Sequence, residues 1–167
     1  MKEVLPSLEG LKIIINNMTT VASAFNRDAN HVPITNLGLV ESKAITYAAA
    51  TTGATGATTL FTVTGTVAMR VFAVASGTDL TGSGTLEVGI SGNTAAILAQ
   101  VAATALDVGE VWFSDTPATV GTLPAIQVLT AGTDIIQTIS TNTVTAGTLT
   151  YYCLWNPISS DGNVVAA

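Results

Sequence analysis

The chain has 167 residues, of which 48% are hydrophobic and 10% charged, and its formal net charge at pH 7 is −6. This length suits one main domain with an extension, and it buries a core without disulfide bonds. The lack of any cluster of Lys or Arg argues against nucleic acid as a partner, and the longest apolar stretch, 95–106, is too short for the roughly 20 residues of a membrane-spanning helix.

The uneven distribution of charge predicts a boundary near residue 43. Residues 1–43 hold four positive and four negative side chains, whereas residues 44–167 hold seven acids and a single cation, Arg70. Threonine contributes 28 residues, and its branched side chain suits the pleated surface of a sheet. We therefore predict an N-terminal arm at 1–42, a β-sandwich domain at 43–156 and a C-terminal tail at 157–167.

The arm contains an amphipathic segment at 7–25, in which apolar residues recur at steps of three and four. Its β-branched and Asn residues give it a mediocre helix propensity, so it needs a partner surface to be stable. An extended arm that pairs as a strand is the alternative for Lys12–Ile15. The residues predicted to bind a partner are Leu8, Leu11, Ile14, Ile15, Met18, Val21 and Phe25.

Residues 26–42 are polar and rich in turn residues, which is typical of a linker or a draped arm, and His31 is interpreted as a solvated loop residue. From residue 43 the apolar period changes to two, which predicts strands. Gly65 predicts a bulge or bend, and the glycine-rich stretch 76–84 predicts a long turn. Strands are predicted at 43–50, 58–64, 66–75, 85–91, 110–114, 125–129, 134–141 and 148–155, with 95–101 either a strand or a short helix.

The strand pattern predicts an all-β fold. About eight short strands separated by turn signals fit an antiparallel β-sandwich or jelly roll, with a small barrel as the alternative and with an N-terminal arm that is helical or extended. One face of the 61–71 region is predicted to be core, because its apolar residues share one parity. Those residues are Phe61, Val63, Val67, Met69 and Val71.

Residues suited to catalysis are scarce. The chain has one His and one Cys, so His-assisted Ser or Cys nucleophiles and zinc sites are disfavoured, and Cys153 is predicted to be a small buried hydrophobe on a strand. Asp107, Glu110 and Asp115 are candidates for a glycosidase pair or a calcium site, although acids at strand ends and loops are the more ordinary interpretation. We predict no catalytic residue, no cofactor and no metal site.

Two pairs of consecutive aromatic residues indicate where a partner could bind. Trp112 and Phe113, and likewise Tyr151 and Tyr152, must face opposite ways on a strand. One aromatic of each pair therefore points away from the inner core. In a charge-poor protein this suggests a protein interface, unless the chain's own arm and tail cover it.

Residues 50–119 resemble structural proteins of tailed bacteriophages. The resemblance rests on phrases such as TLFTVTG and GTLEVGISGNT within 50–100, and on DVGEVWFSDTPAT at 107–119. Such proteins include capsid decoration (cement) proteins and head or tail fibre components. The resemblance implies a sandwich or jelly-roll trimer whose terminal arm lies on neighbouring subunits, and it carries over no functional residue.

The expected function is therefore structural. The chain is expected to be a non-enzymatic virion protein on the capsid surface, where it binds the outside of the major capsid protein lattice and stabilises the phage head. Its expected partners are the major capsid protein and itself, as a homotrimer, with neither nucleic acid nor membrane. A head or tail fibre or receptor-binding component is the alternative, and a carbohydrate-active β-sandwich enzyme is a more remote one.

Overall fold

This computed structural model describes residues 38–130 and 132–167. Those residues contain ten antiparallel β-strands. A short 3₁₀ helix, Ala103–Ala105, follows the fifth strand. No helix in those two ranges has the length and hydrophobicity needed to cross a membrane. The strands are β1 (Leu39–Thr46), β2 (Gly56–Thr64), β3 (Val67–Gly82), β4 (Thr85–Ile90), β5 (Asn93–Ala102), β6 (Val111–Trp112), β7 (Gln127–Leu129), β8 (Ile135–Ser140), β9 (Val144–Pro157) and β10 (Asn163–Ala166).

The strands form two packed sheets. Sheet 1 has the order β1-β9-β3-β6, with β7 also paired to β3, and sheet 2 has the order β10-β2-β8-β4-β5. The chain follows the path of one long antiparallel hairpin that turns at Ser91–Gly92 and is folded into two layers. The strand pairs along this hairpin are β1–β9, β2–β8, β3 with β6 and β7, and β4–β5. This is the strand order of a jelly roll. The predicted all-β sandwich is confirmed.

Strand parity determines the core, as the alternating pattern predicted. Phe61, Val63, Val67, Met69 and Val71 are all buried between the sheets. Trp155 and Cys153, the cross-strand partners of Met69 and Val71 on β9, face the same interior. Burying apolar side chains of this size contributes about 1.5–3 kcal/mol each, so this interior is the main source of stability.

One polar cluster is enclosed in this core. The hydroxyl groups of Tyr47 and Tyr151 each donate to Oε1 of Gln137 at 2.6 Å, and the two hydroxyl oxygens lie 2.9 Å apart. Three contacts therefore share two hydroxyl protons. Gln137 is fully buried and its Nε2 has no hydrogen-bond partner. We call these three residues the Tyr–Gln–Tyr cluster.

Hydroxyl groups and one lysine make polar contacts at the edges of the sheets. The Oγ1 atoms of Thr46 and Thr148 lie 3.0 Å apart across β1 and β9, and those of Thr81 and Thr145 lie 2.8 Å apart across β3 and β9. Lys43, on edge strand β1, donates from Nζ to the main-chain oxygen of Thr59 in sheet 2 at 2.8 Å, and also to that of Ala167. Lys43 thus connects the two layers.

The structure differs from the sequence-based expectation at residues 76–84. The expected long turn is strand as far as Gly82, because β3 continues to pair with β9 beyond a register shift between Ser76 and Thr81. Gly147 of β9 makes room for this irregular stretch, since a Cβ there would lie 2.8 Å from Leu80 Cα. Gly77 and Gly82, which were expected in a turn, therefore lie in a bulged strand.

Other strand bounds also differ. The first strand begins at Leu39 and ends at Thr46, four residues earlier at each end than expected. The strand predicted at 110–114 is reduced to Val111–Trp112, and Asn163–Ala166, which showed no clear period, pairs with β2 as β10. The bend predicted at Gly65 is present: φ there is +62°, and the chain passes from sheet 2 to sheet 1.

Candidate interaction surface

The outer surface of sheet 1 carries a group of neighbouring apolar side chains. Residues opposite one another in the register share a face, so the outward positions of β1, β9, β3, β6 and β7 can be aligned in rows. We call this surface the sheet-1 face. Its apolar members are Val40, Ala44, Ala68, Phe72, Val74, Val111, Val128, Tyr152 and Leu154.

An aromatic pair lies at the centre of the sheet-1 face. Phe72 and Tyr152 are direct cross-strand partners, and their rings stack with centroids 5.2 Å apart and an interplanar angle of 19°. Both side chains are half-buried. The margins are more open, with Val40 on one side 58% exposed and Val128 on the other 60% exposed. Large apolar side chains at this exposure are typical of a surface that a partner covers.

Arg70 is the one charged residue of the sheet-1 face. It lies in a row with Leu154 and Val40. Its Nε atom is buried and has no hydrogen-bond partner. A guanidinium group has donors and no acceptor, so this buried N–H needs an acceptor that none of residues 38–130 and 132–167 supplies.

The opposite surface of the molecule has a different character. Six outward positions of sheet 2 are hydroxyl-bearing, although Ile136 and Val165 also lie there, and Glu87 accepts a hydrogen bond from Gln100 Nε2 at 3.2 Å. We call this surface the sheet-2 face. Its hydroxyl-bearing members are Thr59, Thr62, Thr64, Thr85, Thr138 and Ser140. The sheet-1 face differs from the sheet-2 face in its stacked aromatic pair and in having a cation as its charged residue.

The sequence-predicted aromatic pairs separate as expected. Trp112 and Tyr151 face the core and are fully buried, with ring centroids 6.4 Å apart in an edge arrangement. Tyr152 faces outward onto the sheet-1 face. Phe113 is half-buried against Gly121, where a Cβ would lie 1.7 Å from its ring, so this outward aromatic is covered by the chain's own loop.

The contacts of the candidate acids Asp107, Glu110 and Asp115 are local ones within their own turns and loops. The main-chain N–H of Asp107 donates to Glu110 Oε2 at 3.1 Å, and that of Glu110 donates to the main-chain oxygen of Asp107 at 3.0 Å. Asp115 accepts a weak contact of 3.4 Å from the hydroxyl of Thr116 in an exposed loop. Asp107 and Glu110 thus stabilise one turn. Within residues 38–130 and 132–167, no group of three or more His, Cys, Asp or Glu is placed to hold a metal ion.

Cys153 is buried on β9, as predicted. Burial is the main cause that raises the pKa of its thiol from 9.0 to about 12, and the negative charge of Glu41 adds to it. Burial also raises the pKa of Tyr47 and of Tyr151.

These raised pKa values predict a loss of stability in alkali. The three groups stay protonated in the folded chain but ionise in the unfolded chain, so unfolding becomes more favourable as the pH rises from about 9 towards 12. We expect the free energy of unfolding to be flat from pH 7 to 8 and to fall above pH 9. Cys153→Ala should remove up to about 1.4 kcal/mol per pH unit of that slope just above pH 9. Urea titrations at each pH measure this, and an unchanged slope in the variant would contradict it.

The predicted arm residues Leu8, Leu11, Ile14, Ile15, Met18, Val21 and Phe25, together with His31, lie outside the described residues. The sheet-1 face as a whole was not predicted from the sequence, although a signal was present. Residues 68–74 are apolar at both parities apart from Arg70, which indicates a strand with two apolar faces. Comparison with known proteins found no matching family model, curated protein or solved structure.

Proposed function

We propose that this chain is a non-enzymatic structural protein of a phage virion. In this proposal it binds the outside of the major capsid protein lattice as a homotrimer and stabilises the head. The observation that carries the proposal is the apolar sheet-1 face, with the Phe72–Tyr152 stack at its centre and Val40 and Val128 exposed at its margins. A surface of this kind is suited to burial in a permanent assembly, where interfaces are large and apolar.

Two further observations support the proposal. The strand order is that of the jelly roll, an architecture that recurs in viral capsid domains, although fold alone does not determine function. The phrases that resemble phage structural proteins lie within the sandwich, where Thr59–Gly65 ends β2 and Gly84–Thr94 forms the β4–β5 hairpin.

A head-binding assay tests the proposal. Purified chain is mixed with phage heads that lack it, the heads are sedimented, and the bound chain and the temperature of DNA release are measured. We expect saturable binding and a higher release temperature, because a clamp across subunit seams opposes their separation. Deleting residues 1–25 is expected to abolish attachment while the Leu39–Ala167 domain keeps its circular dichroism spectrum.

Two results would contradict the proposal. One is wild-type chain that stays in the supernatant at every concentration, and the other is binding that leaves the release temperature unchanged. Full occupancy by the 1–25 deletion would contradict the role of the arm alone. The intact chain mixed with heads that already carry it is the matched control for non-specific sedimentation.

A further inference from the structure

The surroundings of Arg70 show what its side chain lacks. It stands on the outward side of β3, directly across from Leu154 and two positions along the same strand from Phe72. Its Nε is buried without a partner. Guanidinium groups in such apolar surroundings pair with carboxylates, which accept two parallel N–H donors.

No carboxylate in the described part of the chain forms an ion pair with Arg70. Glu41 has the inward parity of β1, opposite Cys153, and Glu87 is on the sheet-2 face. Asp79 accepts a hydrogen bond from the main-chain N–H of Val108, next to the turn that contains Asp107 and Glu110. None of the acids in the described ranges therefore complements Arg70, whereas a partner protein can supply one.

We infer that the sheet-1 face docks onto an apolar protein surface that presents one carboxylate to Arg70. The inference rests on the proposed function and deepens it by naming the chemistry of the contact on the head. Docking removes water from around the guanidinium and gives its Nε–H an acceptor, which no described residue provides. The stacked rings of Phe72 and Tyr152 beside it provide the apolar centre of the contact.

The same charge argument excludes two other occupants. A two-fold dimer joined by this face would bring two Arg70 side chains together, and the described residues of the two copies would pair neither with a carboxylate. Unpaired buried charges are costly. Nucleic acid requires several cations along a phosphate backbone, and this face offers one. A protein surface with an acidic side chain is the occupant that satisfies both the apolar area and the lone cation.

Charge substitutions test the inference in the head-binding assay with the full-length chain. Arg70→Glu is expected to weaken binding to heads by at least about 30-fold, because it places a carboxylate against the partner's carboxylate. Arg70→Lys should bind with intermediate affinity, since it keeps the charge and loses the two-pronged geometry. Glu87→Lys, a charge reversal on the sheet-2 face, is the matched control and should bind as wild type.

A stability measurement separates binding from folding. Arg70→Leu should melt at or above the wild-type temperature, because it removes a buried donor that has no acceptor, yet it should lose binding. Arg70→Leu that melts well below wild type would show that the residue supports the fold, and would overturn the inference.

Photo-crosslinking identifies the occupant. A benzoylphenylalanine residue at position 74 on the sheet-1 face is expected to crosslink to a capsid-protein peptide that contains Asp or Glu, whereas one at position 138 on the sheet-2 face is not. Changing that acid to Lys should weaken wild-type binding and restore binding of Arg70→Glu.

Each contrary outcome has a defined meaning. Wild-type binding that Arg70→Glu leaves unchanged overturns the inference and leaves the proposed function standing. Crosslinks from position 74 to a second copy of the chain, or to residues 1–37 of the same chain, also overturn the inference. A wild-type chain that does not bind heads overturns both.

Discussion

Replacing Trp112 with alanine is expected to lower the free energy of unfolding by about 3–5 kcal/mol. The indole is fully buried, although it sits on β6, a strand of only two residues. Its ring meets the Tyr151 ring edge-on at 6.4 Å. Because the side chain anchors an otherwise irregular connection to the core, the variant leaves a large cavity and also loosens the neighbouring loop.

Two controls define the origin of this effect. Trp112→Phe keeps an aromatic ring and removes Nε1, which is buried without a partner, so it should cost less than about 2 kcal/mol. Val111→Ala, on the outward side of the same short strand, should cost less than about 1 kcal/mol. Urea unfolding followed by circular dichroism measures all three variants. A Trp112→Ala variant as stable as Val111→Ala would show that the indole does not fill the core.

The second large effect concerns the Tyr–Gln–Tyr cluster. Gln137→Ala is expected to cost about 2–4 kcal/mol, because it opens a cavity and removes the oxygen that accepts both tyrosine hydroxyls. The two hydroxyls, 2.9 Å apart, can still bond to each other. One of their two protons is then left without an acceptor in a dry core, which is the larger part of the expected cost.

A triple variant tests whether the cluster acts as a unit. Tyr47→Phe, Gln137→Leu and Tyr151→Phe together remove every polar side-chain atom of the cluster, including the unpartnered Nε2 of Gln137. We expect the triple variant to unfold within about 1 kcal/mol of wild type, since replacing all partners by apolar groups of similar shape leaves nothing unsatisfied. The single variants should each cost more than the triple. Costs that add across the three sites would show that the groups contribute independently.

The alternating pattern predicted much of the fold. The parity of Phe61 to Val71 identified the core side, because strand periodicity is a local property of the sequence. The prediction of a turn at 76–84 was wrong, because glycines are common in turns. Only the pairing with β9 near Gly147 reveals that this stretch is a bulged strand. Asn163–Ala166 has too few residues for a periodic signal, and its strand state depends on β2.

The candidate surface was less predictable, for a related reason. The outward position of Tyr152 follows from its place beside Tyr151, and the sequence suggested an outward aromatic there. Its stack with Phe72, however, requires β3 and β9 to be neighbours, although they lie far apart in the chain. The isolation of Arg70 also depends on where every acid of the folded domain lies, which no local pattern encodes.

The hydroxyl contacts across β9 have a consequence for the conditions that the domain tolerates. The pairs Thr46–Thr148 and Thr81–Thr145 hold neighbouring strands together through neutral groups. Neutral hydrogen bonds are not screened by dissolved ions and do not titrate near neutrality, unlike the ion pairs that many surfaces use for the same purpose. We therefore expect these two threonine contacts to persist at low ionic strength, at high ionic strength and at mildly acidic pH.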